Sequence, residues 1–236
     1  MKVLISPTTL AEARIAADGG ADIIDIKNVE EGSLGANFPW VIRQIVSAID
    51  RGGVSFSATL GDLPFKPGTA ALAALGAVEC GAQYIKAGLH GIKNHDQALA
   101  LMRAVRRTCR ERGHDVVVVA AGYADWGRIG SIDPSTLVRA AADAGADLVM
   151  VDTAIKDGAG LFDLMCHEDV HGFVSDAHEA GLEVALAGAL KLADVPRLRE
   201  LGPDVVGVRG CVCRRGDRGA QMDLELVREF VRAVKD

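Results

Sequence analysis

Short apolar runs alternate with longer helical patterns along the whole chain, and this alternation limits the fold more than any other feature. Strand-like runs occupy Lys2–Ser6, Asp22–Lys27, Val54–Thr59, Gln83–Ala87, Asp115–Ala121, Asp147–Asp152, Glu183–Ala187 and Asp204–Arg209. Helix candidates lie between them at about 8–19, 38–51, 68–80, 94–112, 134–144, 168–180, 192–201 and 222–234. Strands separated by helices run parallel, because each helix returns the chain to its starting edge. Eight such units in 236 residues predict an α/β protein, a closed (β/α)8 TIM barrel formed by residues 1–236 as one domain. No Pro/Gly/Ser-rich linker divides the chain. The competing open, doubly wound sheet would carry G-x-G-x-x-G after its first strand, and that motif is missing.

Composition agrees with a close-packed helix-on-sheet protein. Hydrophobic residues make up 49% and aromatics only 4%, so the core must be built from Ala, Val, Leu and Ile. A chain of this length buries roughly 70% of its unfolded surface and needs no disulfides. Five Cys, an odd number, and an MKVLISPTT start without a long apolar run point to reduced thiols and a cytoplasmic protein. The net charge is −6 and no basic run interleaves with aromatics, so nucleic acid is not an expected partner. No apolar run approaches the ~18 residues of a membrane span.

A weak repeat aligns the even strands. Gly20-Ala-Asp, Gly81-Ala-Gln, Gly145-Ala-Asp and Gly202-Pro-Asp each end a helix and open a strand, at intervals of roughly 60 residues, about two βα units. Strand side chains alternate between faces. Four and six residues after each glycine lie Ile24 and Ile26, Ile85 and Ala87, Val149 and Val151, Val206 and Val208, all apolar and suited to the helix-covered face. Five and seven residues after it lie Asp25 and Lys27, Lys86 and Gly88, Met150 and Asp152, Gly207 and Arg209. The charges therefore point into the barrel at the C-terminal strand ends, where barrel enzymes build their sites.

Asp25, Lys27, Lys86, Asp152 and Arg209 thus converge on one mouth, and Lys156 in the next loop can lean over it. An ion-pair network plugging the barrel is one reading; excess positive charge suited to an anionic ligand such as a phosphorylated sugar is the other. Crowding and desolvation lower the pKa of an ammonium. A neutral amine attacks carbonyls to form a Schiff base, as in class I aldolases, and the iminium then serves as electron sink without a metal or other cofactor. Phosphate recognition is expected from the last two loops, Gly188-Ala189 and Gly210-Cys211, with Ser6 as an added donor. His167-Glu168-Asp169-Val170-His171 matches the zinc pattern H-E-x-x-H, but a third ligand is missing and Glu168 equally suits a helix N-terminus. Cys211-x-Cys213 lacks a second pair. Arg103, Arg106, Arg107 and Arg110 read as a solvated helix face.

The second strand and its loop read Asp25-Ile-Lys27-Asn28-Val-Glu-Glu-Gly32-Ser33-Leu34-Gly35-Ala-Asn37-Phe38-Pro39-Trp40. This stretch closely resembles the (5-formylfuran-3-yl)methyl phosphate synthase family, with its pattern D-x-K-N-P-x-E-G-S-L-G-A-N-F-P-W. The likeness continues at Tyr84-Ile-Lys86-Ala-Gly88-Leu, at Val151-Asp152-Thr153-Ala-Ile-Lys156-Asp157-Gly158, at Ala187-Gly188-Ala-Leu-Lys191 and at Gly207-Val-Arg209-Gly210. Val29 stands where the family usually has Pro, a change of loop stiffness more than of chemistry. The resemblance implies condensation of two glyceraldehyde 3-phosphate molecules, with loss of phosphate and water, to a furan aldehyde phosphate for methanofuran-type cofactors. It places the Schiff base on Lys27 and the proton acceptor on Lys86, with Asp25, Asp152 and Lys156 at further active-site positions; Ser6, Gly188, Arg209, Gly210 and Cys211 are expected to hold phosphate. Another aldolase-like or epimerase barrel acting on sugar phosphates, and a non-catalytic sugar-phosphate-binding barrel, are the alternatives. Gly and Ala patches on the outer helices would suit packing between copies.

Overall fold

The computed structural model describes all residues except 50, 51, 63 and 112–114. Eight parallel strands close into a barrel in chain order. They are β1 (Lys2–Ile5), β2 (Ile23–Ile26), β3 (Ser55–Asp62), β4 (Tyr84–Gly88), β5 (Val117–Tyr123), β6 (Leu148–Asp152), β7 (Glu183–Leu186) and β8 (Val205–Val208). Closure pairs β1 with β8 from Lys2↔Val205 to Ile5↔Val208. The main outer helices are α1 (Leu10–Asp18), α2 (Pro39–Ala48), α3 (Pro67–Glu79), α4 (His95–Glu111), α6 (Pro134–Ala144), α8 (His167–Glu179), α9 (Val195–Leu201) and α10 (Leu224–Lys235). Two single-turn helices, α5 (Trp126–Ile129) and α7 (Leu161–Leu164), sit in the loops after β5 and β6; they are too short for a periodic pattern to reveal. The ends of the expected helices 38–51 and 94–112 lie outside the described residues.

Local chemistry explains the boundaries. Thr9 caps α1 by accepting from the Glu12 amide, Asp133 caps α6 through the Ser135 and Thr136 amides, and Asp223 caps α10. Gly145 and Gly202 end α6 and α9 in the left-handed conformation at φ 69°. Three strands run past their expected ends: β3 continues to Asp62, β4 to Gly88 and β5 to Tyr123.

The repeat has a second purpose besides stopping helices. In each copy the third residue clamps the preceding strand with two hydrogen bonds. The Val3 amide donates to the Asp22 carboxylate at 2.8 Å, and the Asp22 amide donates to the Val3 carbonyl at 2.9 Å. Gln83 and Phe56, Asp147 and Val118, and Asp204 and Val184 repeat this arrangement. Lys235, Arg106 and His178 in turn reach Asp22, Asp147 and Asp204 at 2.7–2.9 Å. Arg106 is therefore part of this base, a correction to its reading as a solvated residue; Arg103, Arg107 and Arg110 are exposed.

Two apolar clusters follow from strand parity. The larger lies between barrel and helices and holds Ile24, Ile26, Ile85, Ala87, Val149, Val151, Val206 and Val208. The smaller fills the barrel interior with Leu4, Ile23, Tyr84, Val119, Leu148, Met150 and Val205. Among the described residues no helix is long and apolar enough to cross a membrane.

The last helix seals the barrel against the first at a close approach. A Cβ on Gly19, at the end of α1, would lie 2.1 Å from Val227 Cγ1 of α10. Gly19→Ala is therefore expected to cost about 1–3 kcal/mol through overpacking, read as a lower urea midpoint with an unchanged m-value.

Candidate active site

The mouth is built from side chains that strand geometry brings to two levels. At the lower level Asp25 on β2 faces Lys86 on β4, with Lys86 Nζ donating to Asp25 Oδ1 at 2.8 Å. Ser57 donates to the same oxygen at 2.8 Å and Ser6 to Oδ2 at 3.0 Å. All four are buried. At the upper level Lys27, one residue past β2, shares the mouth with Asp152 at the end of β6. Lys156 Nζ donates to Asp152 Oδ1 and to Thr153 Oγ1, both at 2.9 Å.

The charges do not balance. Lys86 is paired with Asp25, and Lys156 with Asp152. Lys27 is left over: its nearest carboxylate is Asp25 Oδ2 at 3.9 Å, beyond hydrogen-bond reach. Burial is the strongest influence on this amine, and it lowers the pKa to about 8 against the pull of Asp152 and Asp25; Lys86 and Lys156 push the same way as burial. Burial alone would raise Asp25, but Lys86 and Lys27 outweigh it and hold the carboxyl below its ordinary range. Asp152 is held well below that range in the same way, by Lys156 and Lys27 against burial. Both carboxylates are thus ionised, and burial eases the loss of the Lys27 proton.

A cavity of about 520 Å³ opens above this cluster, lined by Lys27, Asp152 and Lys156 on one side and by the loops after β7 and β8 on the other. Asp25 and Lys86 are not on its wall; they lie buried behind Lys27. Ser6, Gly188, Arg209, Gly210 and Cys211 all line it. Gly188 takes φ +107°, and a Cβ there would meet Thr153 Cγ2 at 2.9 Å, so only glycine brings the backbone this close. Burial pushes the Cys211 thiol up to about 12, so it stays protonated.

Two expected phosphate contacts are engaged elsewhere. The Ser6 hydroxyl is spent on Asp25. Arg209 forms a largely buried ion pair with Glu12 at 2.8 Å and also donates to the carbonyls of Ser6 and Arg218. Its guanidinium holds the ends of β1 and β8 together.

The structure adds residues that the repeat could not show. The loop between β2 and α2 folds back over the mouth. Ser33 donates to the Thr153 carbonyl at 2.8 Å, and the Leu34 amide donates to Asp62 Oδ2 at 3.1 Å. Leu34 is fully buried in the interior cluster. Tyr123, at the end of β5, donates its hydroxyl to Asp62 Oδ1. Burial first, then Asp62 and Asp152, hold this phenol protonated, with its pKa well above normal. Asp125 accepts the amides of Ala154 and Ile155, both at 2.8 Å, and so shapes the loop that carries Lys156. Ser55-x-Ser57-x-Thr59 shows period-two polarity that marks β3 as facing a polar interior, and extending the Val117, Val119, Ala121 alternation by one step reaches Tyr123. His167 accepts from Arg197 at 3.2 Å and His171 is exposed; among the described residues no group of three or more His, Cys, Asp or Glu is placed to hold a metal ion.

A closed (β/α)8 barrel with amines and carboxylates gathered at its C-terminal mouth defines a TIM-barrel protein with its charged groups at the end where such barrels carry their sites. Solved structures agree on the fold: 3-hexulose-6-phosphate synthase matches with a TM-score of 0.67 at 18% identity over 99% of this chain and 100% of the other. Phosphoribosyl anthranilate isomerase from Thermus thermophilus matches at 0.65, also at 18% identity, over 99% and 98%. The chain belongs to the 4-HFC-P synthase family, whose sequence profile matches residues 3–231. It is 54% identical to the (5-formylfuran-3-yl)methyl phosphate synthase of Archaeoglobus fulgidus, over 99% of each chain. It is 53% identical to that of Methanopyrus kandleri, over 99% of this chain and 98% of the relative.

The unpaired amine predicts a stability trade. Lys27→Met should raise stability at pH 7 by about 1–3 kcal/mol, since a buried charge is removed and both remaining ion pairs stay intact. The folded amine loses its proton near pH 8 and the unfolded one near 10.5. Between these values the native chain recovers the penalty, so the advantage of the variant should shrink across that window in paired urea titrations.

Proposed function

We propose that this enzyme condenses two molecules of glyceraldehyde 3-phosphate into (5-formylfuran-3-yl)methyl phosphate through a Schiff base on Lys27. Family membership supports the product, and the atoms balance: two triose phosphates give the furan aldehyde phosphate, one inorganic phosphate and two waters. The observation that carries the mechanism is the lone amine of Lys27, buried, without a carboxylate of its own, and on the cavity wall.

A pKa of about 8 makes neutral amine roughly 300-fold more abundant at pH 7 than for an ordinary lysine. The Lys27 amine attacks a triose carbonyl, after isomerisation to the ketone, and water leaves as the iminium forms. The iminium is the electron sink: loss of a proton from the neighbouring carbon gives an enamine, which attacks the aldehyde of the second triose. Lys86 accepts this proton as the free amine, its ammonium having first released a proton to solvent, and it is reached through Asp25, which touches Lys86 and faces Lys27. Lys156 and Asp152, at the cavity wall, move protons during elimination of phosphate and water and during ring closure. Gly188, Gly210 and Cys211 offer backbone to a phosphate.

Borohydride reduction with the triose should attach its mass to Lys27 alone; an undiminished adduct in Lys27→Ala would remove that lysine from the mechanism. The initial rate of trapping should rise with pH and level off above about 8, as the amine loses its proton. Lys86→Ala should still trap substrate while losing turnover by roughly 100-fold or more, the usual worth of a positioned acid–base group. Mass spectrometry of the product separates a furan aldehyde phosphate from the sugar phosphate an aldolase or epimerase would release.

A further inference from the structure

The cavity holds more cationic surface than one phosphate explains. Its wall includes Lys191, in the loop after β7, and Arg218, in the loop after β8. Among the described residues neither side chain makes an ion pair or hydrogen bond; their hydrogen bonds run through backbone, the Lys191 amide donating to the Asp194 carboxylate, the Lys191 carbonyl accepting from the Asp194 amide, and the Arg218 carbonyl accepting from Arg209. Elsewhere at the mouth every cation but Lys27 is committed, Lys156 to Asp152 and Arg209 to Glu12. Asp217 is the one carboxylate beside this pair on the cavity wall, and it accepts from the Gly219 amide.

The placement of Arg218 is itself constructed. Glu12 accepts from Thr8, Arg209 and the Met222 amide, and so ties α1 to both ends of the β8–α10 loop. Arg209 Nε then holds the Arg218 carbonyl at 2.8 Å. The buried arginine positions the loop, and the half-buried one is free at its tip.

We infer that Lys191 and Arg218 form a second phosphomonoester site at the rim, separate from the glycine-lined site at Gly188 and Gly210. This rests on the reading above, in which two phosphorylated trioses must be held at once. A triose phosphate has ten non-hydrogen atoms, and a cavity of about 520 Å³ lies in the range of roughly 300–1,000 Å³ that encloses much larger ligands. The neutral backbone site suits the triose joined to Lys27. The two cations suit the dianion of the second triose, because a guanidinium and an ammonium can each donate to different phosphate oxygens. Arg209 acts through Arg218 as a positioning residue.

Titration calorimetry with inorganic phosphate tests this without catalysis. The native protein should bind two phosphates per chain, and Lys191→Ala/Arg218→Ala one; Arg218→Lys alone should keep two with the rim site weakened. In the double variant borohydride trapping of triose on Lys27 should persist, while turnover at subsaturating triose falls at least tenfold. One phosphate on the native protein, two on the double variant, or loss of trapping would each overturn the inference. If the native protein makes no furan aldehyde but the double variant still drops from two phosphates to one, the rim site stands and the proposed reaction falls.

Discussion

Four reciprocal clamps at the base of the barrel decide where every interior side chain goes. Asp22, Gln83, Asp147 and Asp204 each bind the backbone of the preceding odd strand through both amide and side chain. Slipping one strand by one residue would break its clamp and turn its whole inward set outward. Because the register is pinned, Asp25, Lys86, Met150 and Gly207 fall in one layer, and Lys27, Gly88, Asp152 and Arg209 in the next, each drawn from alternate strands as barrel interiors require. The chemistry at the top is a consequence of hydrogen bonds at the bottom.

Those layers leave the barrel one positive charge in excess. Two ion pairs, Lys86–Asp25 and Lys156–Asp152, satisfy themselves, and Lys27 sits between them with attraction from both carboxylates and a hydrogen bond to neither. In a water-poor interior such a charge is costly, and the cheapest relief is loss of the proton. The stability lost at this position and the lowered pKa of the amine have the same main cause, its burial.

Loops complete what the strands begin. The β2–α2 loop crosses the mouth and buries Leu34, latched by Ser33 to Thr153 and by Leu34 to the Asp62–Tyr123 pair. Gly88 makes room for that pair: a Cβ there would lie 2.6 Å from Asp62 Oδ1 and 2.9 Å from the Tyr123 oxygen. On the opposite side the Glu12–Arg209 pair fixes the β8–α10 loop. One side of the mouth is thereby closed over the amines, and the other is left open as the cavity.

Sequence alone determined the alternation of eight strands with helices, the barrel that follows from it, and the parity that put Asp25, Lys27, Lys86 and Asp152 inside, because each depends only on local periodicity and helix-stopping glycines. It also exposed Lys156, four residues beyond Asp152, and the long motif after Lys27. Tertiary structure alone decided which charge pairs with which. Arg209 had the parity of an interior cation but found Glu12 across the β1–β8 seam, a partner 197 positions away. Asp62 and Tyr123 met because β3 and β5 run past the ends that apolar patterning marked. Pairing is a matter of distance between strands brought together by closure, and no periodicity within one strand encodes it.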